Sequence, residues 1–222
     1  MKRLAAGQWR ERVRCDRRAG MSPRPSMPAD ERRRQLLAAA RTVFGQRGYH
    51  GTSVSHIIKE AGVARGTFYN YFPSKRVAFQ AVLDDIMEQV EGTVPPIDPT
   101  QDIALQVRTR LESLILTLSG RDELGRLLFG EALGIDAEGD EALRGFYGTA
   151  IARIEHALVL GQGFGVVRAG DPRLMARCLL GLLKEPAFQA SLHGERLDPH
   201  ALVDTLFDFL THGVMVAPPS AT

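Results

Sequence analysis

With 222 residues, 44% of them apolar, the chain can bury one generous core or two modest ones. No run approaches the roughly 18 apolar residues of a membrane span, no apolar signal segment follows the basic residues Met1–Ala6, and Cys15 and Cys178 form neither a metal spacing nor a disulfide framework. A cytoplasmic protein with no membrane partner, metal or cofactor is expected. The net charge of +2 conceals an asymmetry: residues 1–76 hold 17 Lys and Arg against 5 Asp and Glu, whereas residues 77–222 hold 11 against 21.

Residues 1–29 lack periodicity, are rich in Arg and include Ser22-Pro23-Arg24-Pro25-Ser26. They read as a disordered basic tail, with Met21 and Met27 as alternative starts. Without residues 1–24 the front half is still basic, 9 against 3 over residues 25–76, which suits a polyanionic partner such as DNA. From Asp30, Leu36, Leu37, Ala40, Val43 and Phe44 recur at helical spacing, and Gly48 stops that helix. Val54, Ile57, Ile58 and Ala61 mark a short second helix capped by Thr52 or Ser53, and Gly62 ends it. A third helix spans residues 64–72, and Pro73-Ser74 opens a fourth, from Lys75 to about Glu91. The break at Gly92-Thr93-Val94-Pro95-Pro96 marks a boundary. Asp98-Pro99, Asp171-Pro172 and Asp198-Pro199 each read as an N-cap followed by a first-turn proline. Patterned stretches lie near 100–119, 121–134 and 140–162, and Pro186 is expected to bend or interrupt its helix. No convincing strand emerges. The chain reads as all-α, with about nine helices in two domains.

The segment from Thr52 to Lys75 carries the chemistry. Ile57, Ile58, Val63, Phe68 and Phe72 form an apolar core beneath two crossed helices, with Ala61 small at the crossing and Gly62 supplying the turn. Arg65, Gly66, Thr67, Tyr69, Asn70 and Tyr71 are then left on the outside or the rim. Hydroxyls, an amide, a cation and a helix N-terminus are the groups that hold phosphates and read base edges. Packing on the first or fourth helix is the alternative use of Tyr69 or Tyr71. His56 reads as a surface histidine.

The run Ala61-Gly62-Val63-Ala64-Arg65-Gly66-Thr67-Phe68-Tyr69-Asn70-Tyr71-Phe72-Pro73-Ser74-Lys75 resembles the signature of the TetR family of helix-turn-helix regulators, AGVSxGTxYxYFxSK. It departs at Ala64, where Ser is usual, and Ile58 stands where Ala is common. The resemblance implies a three-helix DNA-binding domain over residues 30–77. A fourth helix would link it to a helical effector-binding and dimerisation domain over residues 78–216, with a disordered tail at 217–222. It implies that Thr52, Thr67, Tyr69, Tyr71 and Lys75 hold phosphates and that Arg65, Gly66 and Asn70 face the major groove, with Ser53 and Ala64 completing the DNA-binding set. It further implies a homodimer, most simply a repressor on palindromic operator DNA, released by a small molecule. A ligand-independent or activating regulator of the same fold is the alternative.

The rear half matches the family in layout. Its last helix carries two apolar stripes, Leu202, Leu206, Phe209, Leu210 and Gly213 on one and Val203, Phe207 and Val214 on the other. A helix apolar over so much of its circumference needs two packing partners, its own core and a second subunit. Leu179, Val203, Leu206, Phe207, Leu210 and Val214 are the interface candidates, a single-chain core being the alternative. Effector-lining candidates are Leu114, Leu118, Phe129, Phe146 and Tyr147, together with Ile151, Met175, Leu182 and Phe188. Lys184 and Glu185 are charges in an apolar run, a solvated face or polar anchors. Few other polar groups point inward, which favours a hydrophobic or amphipathic ligand. No enzyme is expected: the six histidines lack HExxH spacing, no glycine-rich phosphate loop occurs, and Cys178 has no evident base.

Overall fold

A computed structural model describes residues 27–93, 97–98, 100–119 and 137–214. The tails expected to be disordered, the helix expected over 121–134, Cys15 and Phe129 lie wholly or largely outside the described residues. Among the described residues there are eight helices and no β-strand. They are α1 (Ala29–Arg47), α2 (Val54–Ala61), α3 (Arg65–Tyr71), α4 (Lys75–Thr93), α5 (Ile103–Ser119), α6 (Ala137–Gly163), α7 (Pro172–His193) and α8 (Pro199–Gly213). The fold is all-α, as the periodicity predicts.

Local chemistry sets the boundaries. Gly48 leaves α1 at φ 68°, and the return is so tight that a Cβ on Gly51 would lie 2.3 Å from the Arg47 carbonyl oxygen. Ser53 caps α2: its Oγ accepts from the His56 amide at 3.3 Å, while the Ser53 amide donates to His56 Nδ1 at 3.2 Å. This is a reciprocal capping box with histidine in place of the usual Glu or Gln. Gly62 then turns the chain in the left-handed region, φ 63° and ψ 34°.

Farther on, Asp171 and Asp198 cap α7 and α8 ahead of first-turn prolines, as expected. The third Asp-Pro behaves differently. Asp98 accepts from Thr100 and Gln101 instead, and those bonds, Thr100 foremost, lower its carboxyl pKa. α5 starts only after Asp102, whose carboxylate takes the Leu105 amide. Pro186 does not interrupt its helix; α7 runs unbroken from Pro172 to His193.

One buried cluster ties the chain together. Leu36, Val43 and Phe44 of α1 meet Ile57, Phe68 and Phe72 of the next two helices and Phe79, Val82, Leu83 and Ile86 of α4. The same cluster continues to Ala142 and Leu143 of α6. Helix α4 therefore packs on α1 on one side and on α5 and α6 on the other. A second, smaller cluster joins Ile115 of α5 to Val203 and Leu206 of α8.

A polar clip also holds α1 to α4. Arg41 pairs with Asp85 at 3.5 Å and donates to Gln89 Oε1, and Gln89 donates to Asp85. With the Arg41 side chain only 13% exposed, truncation leaves the Asp85 carboxylate without its cation. Arg41→Ala should lower stability by about 1–3 kcal/mol, read as a fall in the urea midpoint at unchanged slope.

Candidate nucleic-acid interface and effector site

Helix α3 rests on its buried Phe68, which makes ring contacts with Phe72 at 5.8 Å and with Tyr69 at 5.4 Å between centroids. With that side fixed, Arg65, Gly66, Tyr69 and Asn70 stand exposed. The Arg65 guanidinium lies 5.7 Å from the centre of the Tyr69 ring, one turn along the same face. Ser53 and Ala64 are exposed beside them, and Thr67 is half-buried. Ser53 accepts as the α2 cap but keeps its hydroxyl proton for another acceptor. Ala64 gives α3 no side-chain cap. Tyr71 is half-buried against the core, closer to the packing alternative than to an open phosphate ligand.

Thr52 and Lys75 differ from the expectation. Thr52 is 3% exposed, and its hydroxyl donates to the carbonyls of Gly48 at 2.7 Å and Val43 at 3.3 Å. In this conformation it secures the turn after α1 and offers no donor to a phosphate. The Lys75 ammonium donates to the Tyr49 carbonyl at 2.9 Å and lies 4.0 Å from the centre of that ring. An ammonium has three donors, so Lys75 is positioned by Tyr49 with donors to spare. Two residues have roles that the sequence does not disclose. Tyr49 is fully buried between Phe44 and Phe79, and His56 is a helix cap; only its place three residues after Ser53 signalled that role.

Gly66 is informative because nothing inside the chain asks for it. A Cβ there would meet no atom within 4 Å, and its φ is outside the left-handed region. Glycine in a helix costs up to about 1 kcal/mol relative to alanine, and the open space over Gly66 leaves its backbone accessible to an external surface. Gly66→Ala should therefore raise the melting temperature and weaken DNA binding, two opposite shifts in one variant.

In the rear half, Leu118, Phe146, Tyr147 and Phe188 are half-buried and each packs against the cluster that contains Leu143. Burial pushes the Tyr147 phenol up to about 12. Leu114 and Ile151 are half-buried on their helices. Met175 lies elsewhere, with its sulfur 3.9 Å from Gln162 Nε2, and Leu182 is exposed. An open groove of about 530 Å³ lies between α1 and α4, lined by Arg34, Leu37, Arg41, Thr42 and Asp85; it adjoins the polar clip, not these residues.

The interface candidates also need correction. Val203 and Leu206 are 2% and 6% exposed, because positions i and i+3 of α8 turn toward Ile115 and Leu111 of α5 and Leu183 of α7. Phe207 is half-buried beneath the Arg108 guanidinium, 5.4 Å from its ring centre. Leu179, Leu210 and Val214 are half-buried. The large apolar side chain that α8 leaves outside is Phe209, 56% exposed, and α7 leaves Leu174, Cys178, Leu182 and Leu192. Among the described residues, no group of three or more metal-ligating side chains occurs and no helix is long and apolar enough to cross a membrane.

Residues 36–82 match the model of the bacterial regulatory proteins of the tetR family. The chain is 25% identical to an uncharacterised HTH-type transcriptional regulator, YdgC of Bacillus subtilis, over 83% of its own length and 93% of that protein's. Its fold is similar to that of tylP, a tetR regulator from Streptomyces fradiae, with a TM-score of 0.70, 26% identity, and 86% and 89% of the two chains covered. It also shares the fold of the transcriptional regulator FadR from Bacillus subtilis, solved in complex with stearoyl-CoA, at a TM-score of 0.67 and 22% identity over 81% and 98% of the chains. The motif, the all-helical fold and these relatives describe a transcriptional regulator rather than an enzyme. Residues 36–82 thus carry the DNA-binding unit of the tetR family, and the chain as a whole is similar in fold to tetR regulators.

Proposed function

We propose that the protein is a cytoplasmic, homodimeric repressor that binds a palindromic operator and leaves it when a small molecule occupies the rear domain. The observation that carries this reading is the outward face of α3, where Arg65, Gly66, Tyr69 and Asn70 stand together over a fully buried Phe68. An Arg of that geometry can take guanine O6 and N7, and an Asn can take adenine N6 and N7. In this reading Ser53, Thr67 and the remaining donors of Lys75 make the phosphate contacts that set the register. The domain bounds that go with this reading are residues 30–77 for the DNA-binding head and 78–216 for the rear domain.

A dimer places two α3 helices in successive major grooves, about 34–36 Å apart. Phe209 on α8 and Leu174, Cys178 and Leu182 on α7 supply apolar surface for that twofold contact. Release follows from the continuous core. Helix α4 shares one buried cluster with Phe68 at one end and Leu143 at the other, and Glu91 near its C-terminus pairs with Arg153 of α6. A ligand that repacks Leu118, Phe146, Tyr147 and Phe188 thereby acts on α4, and it shifts the equilibrium only if it prefers the DNA-incompetent spacing. FadR, similar in fold, was solved with stearoyl-CoA, which supports a hydrophobic or amphipathic effector.

The test is fluorescence polarisation with DNA from upstream of the protein's own gene, with and without a cell extract. Binding relieved by a small-molecule fraction is expected; binding that no fraction relieves would remove the release step. Asn70→Ala should relax preference at one base pair by about 1–3 kcal/mol, seen as a narrowed gap between matched and single-substituted sites.

A further inference from the structure

Lys184 is half-buried on α7, and its ammonium lies 5.2 Å from the centre of the Tyr147 ring on α6. One turn on, Phe188 shares its face. Ala187, Phe188, Phe146 and Tyr147 all pack against the core that holds Leu143. The charges nearby in sequence are engaged or exposed. Glu185 is exposed and accepts from Gln189 at 2.8 Å, and Glu141 and Arg144 of α6 are exposed. Among the described residues no carboxylate pairs with Lys184.

An ammonium partly withdrawn from water into apolar surroundings loses hydration, and a ring face returns only part of it. A half-buried ammonium bordered by apolar side chains binds an anionic group more strongly than a neutral one. The phenol of Tyr147 stays protonated over the physiological range, so this ring contributes no negative charge. Lys184 is thus a cation without a described counter-ion, bordered by the apolar residues already grouped as the effector site.

We propose that Lys184 is the anion-binding end of the effector site, and that the effector is an amphipathic acid. Its apolar body lies against Phe146, Tyr147 and Phe188, and its carboxylate or phosphate group meets the ammonium. The proposal rests on the reading that the rear domain takes a small molecule. Two sources share this chemistry, a free long-chain carboxylic acid and an acyl thioester whose coenzyme carries phosphates.

Calorimetric titration of the full chain with dodecanoate, dodecanoyl-CoA and dodecanol separates them. The wild type should bind at least one of the two anionic probes about tenfold or more tightly than dodecanol, and the tighter of the two identifies the source. Lys184→Met, which keeps the apolar stem, should erase that preference with dodecanol binding and melting temperature unchanged, and Lys184→Arg should restore it. A Lys184→Met variant that keeps the preference, or a wild type that shows none, overturns the proposal. Polarisation on DNA is run in parallel. A probe that binds through Lys184 yet leaves DNA affinity unchanged removes the release reading while this site stands.

Discussion

Phe68→Ala should abolish DNA binding by unfolding the head that carries it. Phe68 is fully buried beneath α3 and touches Phe72, and the same cluster takes in Ile57 of α2 and Phe44 of α1. Truncating a buried phenylalanine costs about 3–5 kcal/mol, a large part of the roughly 5–15 kcal/mol that holds a domain together. The head is short, and α2 and α3 have eight and seven residues, too few to persist as helices without their shared core. Urea unfolding and DNA polarisation should fail together in this variant. Phe68→Leu, which fills much of the same volume, should cost less and keep measurable binding. An alanine variant as stable as the wild type would show that α3 is not seated on this residue.

In the proposed homodimer, Phe209→Glu should yield monomers and lower operator affinity by about 10²–10⁴-fold, the gain ordinarily conferred by tethering two binding sites. More than half of the Phe209 side chain is exposed while its neighbours Val203 and Leu206 are enclosed, so the new charge harms an interface and not the chain's own core. The partner control is Val203→Glu, which should unfold the α5–α8 contact itself. Light scattering distinguishes the two outcomes. A Phe209→Glu protein that stays dimeric would move the twofold contact away from this face of α8.

The two ends of the chain differ in how far the sequence disclosed them. The head was legible nearly to the residue because its motif fixes both period and turn chemistry: Ala61-Gly62 and the Phe68–Phe72 pair leave one arrangement open. Even there, Thr52 carries the right hydroxyl for a phosphate but is enclosed by the close return through Gly51, a tertiary fact that spacing does not reveal. His56 reads as a plain surface histidine in sequence because a capping box is sought as Glu or Gln, whereas it closes the Ser53 box. In the rear half, periodicity located α8 without its phase against α5. Val203 and Leu206 were thus assigned outward when they face in, and Phe209 was read only as part of a stripe. Met175 failed for a similar reason, since its place beside Gln162 and Gly170 depends on the hairpin between α6 and α7.

The most direct test is selection of bound fragments from a random double-stranded DNA library, followed by sequencing of the enriched pool. A dimeric reader with α3 in the major groove should enrich one inverted repeat whose half-site centres lie about 10–10.5 base pairs, or a multiple of that, apart. The repeat should lose definition at one position per half-site when Asn70 is changed to alanine. Failure to enrich any sequence, or enrichment of a single asymmetric element that Arg65→Ala and Asn70→Ala leave untouched, would contradict it.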